Sequence, residues 1–486
     1  MSEPKPKKNA NGLLFIGAGT DGTPIGIETE RHAITIAGSQ SGKGVGVIVP
    51  NLMLWPHNAL VVDPKGEAAK LTVKTRAEMG CPSFVFDPFH RADVPDNVRV
   101  TINPMDRLDP ESFTITEDIG VIADGLVMRS NPDSAYWDNG AVTIIAGLIA
   151  YVLLRLPKDE QNLLSVRRII RDEDLFATVV DEMRKEEGLG GLCQSAASAI
   201  MAKEGSYFVS NAQANTKWLD SLAMQKALAT TSFDMSQLKW GNASLFLALP
   251  SKYIKEHGRF LRLFVRTAID VMQEERERGE IKGKQCLFLL DEFFTLGYID
   301  EIAQSAGLMA GYGLKLWPIL QDFEQLQKLY GRDGAATFFG SADLHQFFGN
   351  MDQPTLNLIS EKIGNYTVSD LGKEPEIDHS EIERIAAEVE QEKARWFPDR
   401  RKLNKLDADL TAAWWLAEEH HKQALAQFKT DASRVLGKPR MTPSEIAKLV
   451  EKPPTGPSKK IINFIHGGQL AVTRLWPYYV DRMPPL

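Results

Sequence analysis

A run of small residues between an apolar strand and a lysine is the segment of this sequence with the clearest chemistry. Residues 34–44 read ITIAGSQSGKG, which predicts a strand that enters a Gly/Ser-rich turn and ends in Gly-Lys. In such a loop, consecutive backbone N–H groups curl around phosphate oxygens, and the following helix directs its positive end at the same anion. Lys43 adds a full positive charge. The residues predicted to contact the phosphates are Gly38, Ser39, Gln40, Ser41, Gly42, Lys43, Gly44 and Val45.

The segment departs from the usual phosphate-loop pattern, G-x-x-x-x-G-K-[ST], at two positions. Ala37 takes the place of the first glycine, and Gly44 takes the place of the hydroxyl residue that normally contacts Mg²⁺. Ser41, one residue before Gly42, is the nearest hydroxyl within the loop. A Gly-rich turn with an incidental lysine is the alternative that this segment alone leaves open.

Two adjacent acids follow a second apolar run, at residues 285–292 (QCLFLLDE). A continuous apolar run is typical of a strand buried on both faces of a parallel sheet, and such sheets bind ligands at the carboxyl ends of their strands. In a nucleotide hydrolase the first acid, here Asp291, helps to hold Mg²⁺, and the second, Glu292, polarises the attacking water. The alternative is a buried strand whose exposed end carries acids by chance. The phosphate loop upstream favours the nucleotide site.

The bulk composition is that of an ordinary globular protein with more than one lobe. The chain has 486 residues, of which 43% are hydrophobic and 25% are charged. Its three cysteines have no metal-ligand spacing, which favours a reducing compartment. Because the net charge is -8, contact with nucleic acid requires a local basic surface.

Apolar strands that end in a polar residue recur along the chain and predict an α/β fold. Residues 59–62 and 83–86 each run into an acid, as the strand before the acid pair does. Residues 314–320 predict a further strand, which ends at Gln321. This repetition is typical of a mainly parallel sheet with its ligand edge at the strand ends. Between Pro110 and about Thr230 the pattern becomes helical, which predicts a helical lobe inserted in the nucleotide-binding core.

The C-terminal third has a different pattern. Residues 380–438 are charged, poor in glycine and helical, with Trp414 and Trp415 as the predicted apolar anchor. We interpret this region as a solvated helical hairpin, with a partner-docking arm as the alternative. The predicted division is 1–30 as an N-terminal arm and entry strands, 31–110 with 231–372 as the nucleotide-binding domain, 111–230 as the inserted all-α domain, 373–438 as the hairpin insertion and 439–486 as a C-terminal segment that packs back on the core.

The hydrophobic pattern predicts no membrane span. Met1–Asn11 is polar and lysine-rich and lacks the apolar core of a signal peptide. The longest uncharged stretch, residues 139–154, is shorter than the about 18–20 residues that a spanning helix requires. We therefore expect a helix buried in the protein core, and a cytoplasmic protein that becomes peripheral at the inner membrane only through partners.

Six segments, taken in order, resemble a known family. They are SGKGVGVIVP (41–50), VVDPKGE (61–67), FLLDEF (288–293), ILQD (319–322) with LYG (329–331), MTPSEI (441–446) and PYY (477–479). Together they resemble the type IV secretion coupling proteins of the TraG/TraD class, which belong to the wider FtsK–HerA group of P-loop ATPases. The resemblance covers roughly residues 33–366 and 440–481. Glycine at the position of Gly44 is usual in this class.

The resemblance implies a RecA-like ATPase core with an inserted all-α domain and a helical C-terminal region. By position, Lys43 binds phosphate and Asp291 serves Mg²⁺. Glu292 activates water, and Gln321 senses the γ-phosphate from a neighbouring strand end. The loop at 63–67 lies close to the nucleotide. ATP and Mg²⁺ are the implied cofactors, and ATP hydrolysis stimulated by DNA is the implied activity.

The implied assembly is a homo-hexameric ring that feeds a relaxase–DNA complex (the relaxosome) to a secretion channel. We expect DNA binding to be sequence-independent and salt-sensitive, because no groove-reading motif is present and the contacts must be with phosphates.

Two departures from the class affect these expectations. Most members begin with transmembrane helices, whereas here the phosphate loop starts at residue 37; this implies a separate membrane-anchor subunit or a protein that works from the cytosol. Some members carry an arginine shortly before the sensor strand, but residues 309–312 (MAGY) contain none. Arg332, Arg259 and Arg262 are possible substitutes, and the sequence does not rank them.

Three classes of function remain in competition. The leading hypothesis is an ATP-driven motor that delivers DNA or relaxase–DNA complex to a type IV secretion channel. The second is a docking adaptor that binds nucleotide, hydrolyses little and recruits cargo. The third is an unrelated P-loop enzyme, such as an ABC-type ATPase or a small-molecule kinase. It is disfavoured by the lack of an LSGGQ-like segment and by the size of the helical insertion.

Overall fold

The computed structural model describes residues 13–129, 135–274, 285–299, 301–302, 308–365, 375–435, 438–453, 459–466 and 468–476. The predicted arm at Met1–Asn11 and the PYY segment at 477–479 lie outside the described residues. Chain contacts group Met1–Thr355 and Ala447–Leu486 into one compact unit and Leu356–Ile446 into a second.

The described part of the chain alternates between strands and helices, except for a long helical segment between the strands Ser83–Phe86 and Ser244–Leu247 and a helical region before the strand Lys460–Ile465. The strands are β1 (Leu14–Ala18), β2 (Pro24–Ile27), β3 (His32–Ala37), β4 (Asn58–Val62), β5 (Ser83–Phe86), β6 (Ser244–Leu247), β7 (Cys286–Leu290), β8 (Leu314–Leu320), β9 (Ala342–Phe348), β10 (Lys460–Ile465) and β11 (Gln469–Arg474). The helices are α1 (Val49–Leu54), α2 (Glu67–Glu78), α3 (Ile115–Leu126), α4 (Ala135–Arg155), α5 (Leu163–Arg171), α6 (Glu173–Met183), α7 (Leu192–Met201), α8 (Gly205–Thr216), α9 (Leu222–Leu228), α10 (Gln237–Trp240), α11 (Ile254–Gln273), α12 (Phe323–Ser341), α13 (Gln353–Ile363), α14 (Ser380–Lys393), α15 (Arg400–Val435) and α16 (Pro443–Val450).

All of these strands join one sheet, in the order β2-β1-β11-β10-β9-β3-β8-β7-β4-β6-β5. The six pairings from β9 to β5 are parallel, and the four from β2 to β9 are antiparallel. The prediction of an α/β fold with a mainly parallel sheet is therefore confirmed. The central strands are buried along their whole length because both faces of the sheet are covered, which explains their unbroken apolar sequences.

The register of the central strands brings their carboxyl ends level. Ile36 of β3 lies opposite Leu320 of β8. Leu290 of β7 lies opposite Pro318 of β8. The loops that follow β3, β8 and β7 therefore start at the same edge of the sheet.

The segment from α3 to α10 is helical, as its sequence pattern predicts. Its longest helix, α4, contains the apolar stretch at 139–154. Within the described residues, α4 is the one helix long and apolar enough to cross a membrane by length and composition, and 72% of its most apolar window is buried inside the protein. Burial of this helix agrees with the expectation of a core helix.

The second unit contains a helical hairpin of α14 and α15. The seam between the two helices buries Ile385, Val389 and Leu406, with Leu403, Leu410 and Ala413 packed against them. Trp414 and Trp415 are 48% and 71% exposed, so the expectation that they anchor the hairpin is wrong. Side chains of successive helical residues point about 100° apart, and the seam uses residues three or four positions apart. Because Trp414 and Trp415 directly follow Ala413 of the seam, their side chains point away from it.

A buried arginine joins the helical layer to the sheet on the side of β6. Arg76 of α2 is fully buried, and its Nε donates to Ser244 Oγ at 2.7 Å. Its Nη1 donates to the carbonyl oxygens of Leu52 and Trp55, at 2.9 and 2.8 Å, and its Nη2 donates to that of His57. One guanidinium therefore satisfies carbonyl groups at the end of α1 and in the loop that leads to β4.

Replacing this guanidinium should destabilise the fold strongly. Hydrogen bonds to charged groups are worth about 1.5–3 kcal/mol each and are not additive, so we expect Arg76→Met to lower the free energy of unfolding by about 3 kcal/mol or more. Urea denaturation measures this change. The control is Lys74→Met on the same helix, where the side chain is 89% exposed and the expected change is below about 0.5 kcal/mol. Equal losses in the two variants would contradict the assignment.

Candidate nucleotide-binding site

The loop after β3 has the backbone geometry of an anion cradle. β3 lies between β9 and β8 in the middle of the sheet, and the loop leads into a π-helical turn, Gly44–Ile48, and then α1. Gln40 and Gly42 have φ angles of 54° and 103°. At these angles the chain turns back on itself, and glycine is strongly favoured at the second.

Several polar groups of the loop have no partner within the described part of the chain. Ser41 N–H donates to Gly38 O at 3.3 Å, whereas the N–H groups of Ser39, Gln40, Gly42 and Lys43 form no hydrogen bond there. The Ser41 hydroxyl is fully buried and also lacks a partner. Unpaired N–H groups at the start of a helix, with Lys43 beside them, are the groups that bind phosphate oxygens.

The loop is held in place by a close backbone approach at its first glycine. Gly38 N–H donates to Phe348 O at 3.2 Å, and a Cβ added to Gly38 would lie 2.0 Å from Gly349 O. Any side chain at this position would therefore displace the end of β9. This close approach explains a glycine at position 38 even though Ala37 occupies the usual first glycine place.

The acid pair lies where the sequence places it, directly after β7. Asp291 Oδ1 accepts a hydrogen bond from Glu292 N–H at 3.0 Å, and Glu292 has a φ angle of 52°. Thr295 fixes this turn because its N–H and hydroxyl both donate to Glu292 O at 2.8 Å. The two carboxylates have different partners: Asp291 accepts from the Glu292 N–H, and Glu292 accepts from Gln321.

Gln321 reaches the second acid from the neighbouring strand. Gln321 Nε2 donates to Glu292 Oε2 at 3.2 Å, and its backbone N–H donates to Gln325 Oε1 at 3.0 Å. β8, which carries Gln321, lies between the strand of the phosphate loop and the strand of the acids. The predicted phosphate, water and sensor groups thus come from three adjacent strand ends.

Burial shifts the titration of two carboxyl groups at this edge. Desolvation raises the pKa of Asp291; the charge of Lys43 opposes this shift, and that of Glu292 adds to it. Desolvation likewise raises the pKa of Asp63 to about 6, although the N–H groups of Ala69 and Ala68 favour the ionised form. Since Asp291 also raises the pKa of Asp63, the two carboxyl groups are close enough to interact.

The family resemblance implies that the loop at 63–67 lies near the nucleotide, but it gives no role to Asp63. The sequence signal for Asp63 is the repeated pattern of an apolar strand that ends in an acid. The sequence gives no sign of Lys452, whose Nζ donates to Gln40 Oε1 at 3.2 Å. No local pattern signals a contact between residues 412 positions apart.

Three arginines could replace the arginine that is missing before the sensor strand, and they differ in how accessible their guanidinium groups are. Arg262 is fully buried, donates to Tyr298 O and pairs with Asp124 at 3.1 Å. Arg259 Nε donates to Asn215 Oδ1 at 2.9 Å. Arg332 is exposed. Of these three, only Arg332 presents an accessible guanidinium without a recorded partner among the described residues.

The residues present fit a nucleotide with Mg²⁺. Magnesium is usually held by one or two carboxylates together with phosphate oxygens and water, rather than by a cage of protein ligands. Asp291 and Asp63 supply carboxylates at this edge. In the described ranges no group of three or more His, Cys, Asp or Glu side chains has the arrangement of a closed metal site.

The sequence matches one family and a set of named relatives. The family described as type IV secretory system conjugative DNA transfer matches residues 5–392. The conjugal transfer protein TraG of Agrobacterium fabrum (strain C58 / ATCC 33970) is 28% identical over 358 residues, which is 69% of this chain and 51% of the relative. Protein VirD4 of the same strain is 24% identical over 342 residues, 70% of this chain and 50% of the relative. The chain therefore spans about half the length of these relatives.

The fold is similar to that of solved plasmid coupling proteins. TrwB in complex with the GTP analogue GDPNP has a TM-score of 0.58 and 13% identity, over 92% of this chain and 86% of that one. TrwB in complex with ADP and Mg²⁺ has a TM-score of 0.55 and 13% identity, over 96% and 90% of the two chains. At this identity the likeness shows the fold, and the predicted RecA-like α/β core with helical regions is confirmed.

The pKa of Asp63 gives a test of its buried environment. A carboxyl group whose pKa is higher in the folded than in the unfolded state destabilises the fold most at high pH, where it is ionised in both. Asp63→Asn should therefore raise the free energy of unfolding at pH 8 by about 1–3 kcal/mol. The gain should shrink as pH falls through about 6, the folded pKa. It should vanish near the unfolded pKa of about 4.

Urea denaturation at pH 8 and pH 5, without Mg²⁺ or nucleotide, measures this difference. The control is Glu78→Gln, an exposed carboxylate on α2, for which we expect changes below about 0.5 kcal/mol at both pH values. A gain for Asp63→Asn that is the same at pH 8 and pH 5 would contradict the raised pKa.

Proposed function

Because the chain belongs to the type IV secretory system conjugative DNA transfer family, we propose that it is an ATP-driven coupling protein. It delivers DNA, or a relaxase–DNA complex, to a type IV secretion channel. One observation carries the proposal: the phosphate loop with its unpaired N–H groups, the acid pair and Gln321 lie at three adjacent strand ends. The TraG and VirD4 proteins that match this chain support the role in conjugal transfer.

The unpaired N–H groups of the loop and the Lys43 ammonium hold the β- and γ-phosphates. Asp291 would hold Mg²⁺, with Asp63 near it, and the ion would supply positive charge for the phosphate oxygens. Both carboxyl groups would be ionised in that state, because a nearby cation lowers the pKa of a carboxyl group. Ser41 supplies the loop hydroxyl that Gly44 does not.

Glu292 orients a water for attack on the γ-phosphorus and accepts its proton, while the bond from that phosphorus to the bridging oxygen breaks and ADP leaves with that electron pair. Gln321 already donates to Glu292, so it fixes the carboxylate in one orientation before the reaction. Loss of the γ-phosphate changes the contacts of Gln321, and that change passes to β8 and α12. Coupling of hydrolysis to movement starts at this residue.

The proposed partners follow from the role. They are DNA bound without sequence preference, the relaxase, the secretion channel or a membrane-anchor subunit, and further copies of this chain in a homo-hexamer. The protein acts at the cytoplasmic face of the inner membrane through these partners, and its hydrolysis is stimulated by DNA. An adaptor with little hydrolysis is the second candidate. The Gln321–Glu292 contact favours the hydrolase, because binding nucleotide alone does not require an oriented water-activating acid.

Substitutions in the site should separate binding from cleavage. Removing a preorganised charge-stabilising donor costs about 10²–10³ in rate, so Lys43→Ala should abolish measurable Mg²⁺-dependent ATP turnover. Glu292→Gln should bind a fluorescent ATP analogue like the wild type and hardly cleave ATP. Phosphate release and analogue titration measure the two effects.

The matched control is Lys328→Ala, an exposed lysine on α12, which should leave both quantities unchanged. Wild-type turnover in both site variants would show that the site is wrong. A wild-type protein that binds the analogue but releases no phosphate, with or without DNA, would favour the adaptor.

The second expectation is a ring. The sites of ring ATPases lie between subunits, so an arginine from a neighbouring copy would complete the site, and the accessible Arg332 is the candidate among the three weighed. Analytical ultracentrifugation with a non-hydrolysable ATP analogue and DNA should show a hexamer. Arg332→Ala should assemble equally well and lose turnover. A strict monomer with both ligands present would count against the motor.

A further inference from the structure

An open cleft lies beside the nucleotide site on the same edge of the sheet. Its volume is about 490 Å³, and it is lined by Pro64, Lys65, Glu67, Arg91, Pro250 and Lys252. The three cations follow β4, β5 and β6, the last three strands of the sheet. We call this feature the basic cleft.

Close packing of two loops brings the cations together. Gly66 has a φ angle of 69°, and a Cβ added to it would lie 2.6 Å from the Ala92 side chain. Gly66 follows Lys65, and Ala92 follows Arg91, so the contact between the small residues places the two cations side by side. A larger residue at position 66 would force the loops apart.

The cations of the basic cleft have no acidic partner among the residues that the structure describes. Lys65, Arg91 and Lys252 are exposed and form no ion pair with any residue that the structure describes. Glu67 is the one acid that lines the cleft. In a chain with a net charge of -8, three cations against one acid mark a local site for an anion.

Flat rings lie next to the cations. Phe89 and Tyr253 stack with their ring centroids 4.4 Å apart and an interplanar angle of 27°. Lys252 Nζ lies 4.5 Å from the centroid of the Tyr253 ring. Hydrogen bonding to Lys252, with the charges of Lys252 and Arg91, lowers the pKa of the Tyr253 hydroxyl. The cations and the rings therefore form one continuous surface.

The basic cleft borders the nucleotide site. Lys65 follows Asp63 by two residues in the loop after β4. β4 pairs with β7, and Val62 at the end of β4 lies opposite Leu290, the residue before Asp291. A ligand in the cleft therefore lies next to the loops that carry both carboxyl groups.

We propose that the basic cleft binds the phosphate backbone of a nucleic-acid strand, with the Phe89–Tyr253 ring pair beside the bases. The proposal rests on the proposed function, since it names where the transported strand contacts the motor. Cations without base-reading groups give sequence-independent affinity. Phe89 and Tyr253 are half-buried, and an aromatic ring can contact any base because every base has a flat face.

Charge reversal at the outer two cations tests the proposal. The variant Arg91→Glu/Lys252→Glu keeps Lys65, which lies in the same loop as Asp63. Fluorescence anisotropy with a labelled mixed-sequence single strand, with the ATP analogue present, measures affinity between about 50 and 200 mM salt. We expect affinity to fall about tenfold or more. The slope of log K against log salt should become less steep by about 1.4, because two contacts between cations and phosphates are lost. Hydrolysis without DNA should stay at the wild-type rate.

The control variant is Lys74→Glu/Lys328→Glu, which has the same net charge and reverses two exposed lysines away from the cleft. It should bind the strand like the wild type. Wild-type affinity in the cleft variant, or equal losses in both variants, would overturn the proposal. Loss of ATP-analogue binding with unchanged DNA affinity would show that the cleft serves nucleotide phosphates, and would also overturn it. A wild-type protein that binds no DNA but hydrolyses ATP would refute the proposed transport function and the cleft together.

Discussion

Parallel pairing of β3 with β8, and of β8 with β7, is the constraint on which the rest of the site depends. Backbone hydrogen bonds fix neighbouring strands at about 4.8 Å, so their carboxyl ends can differ in height only if the register slips. A slip would turn the buried side chains of these strands toward the opposite face. The same force that buries the apolar strands therefore aligns Lys43, Gln321 and the acid pair.

The site is assembled from charges that do not balance without ligands. Asp63 is buried and Asp291 is half-buried near it, and desolvation raises the pKa of both carboxyl groups. Lys43 lies near enough to Asp291 to oppose this rise, whereas the loop N–H groups of Ser39, Gln40, Gly42 and Lys43 have no hydrogen-bond partner among the described residues. In the proposed function, a phosphate and a magnesium ion would supply partners for the loop N–H groups and for the two carboxyl groups at once.

The same edge of the sheet continues into the basic cleft, so the two proposed anion sites lie on one surface. The phosphate loop offers backbone N–H groups, whose positions are fixed by the chain. The cleft offers long side chains and flat rings, which can contact a strand in more than one position. If both proposals hold, the protein grips one ligand rigidly and lets the other pass, as a motor requires.

Sequence by itself determined the strands and the chemistry at their ends. The strand at Leu314–Leu320 has the bounds that its sequence predicts, and the acid pair directly follows the buried β7. Apolar runs and small-residue turns are local patterns, so they can be recognised without knowing which distant residues they contact. Tertiary structure decided what depends on distant packing: the glycine required at position 38 by the end of β9, and the contact of Lys452 with the loop. It also showed that Trp414 and Trp415 are exposed rather than buried, because a sequence does not show which face of a helix will be covered. Only the packing of α14 on α15 selects the face of the helix that is buried.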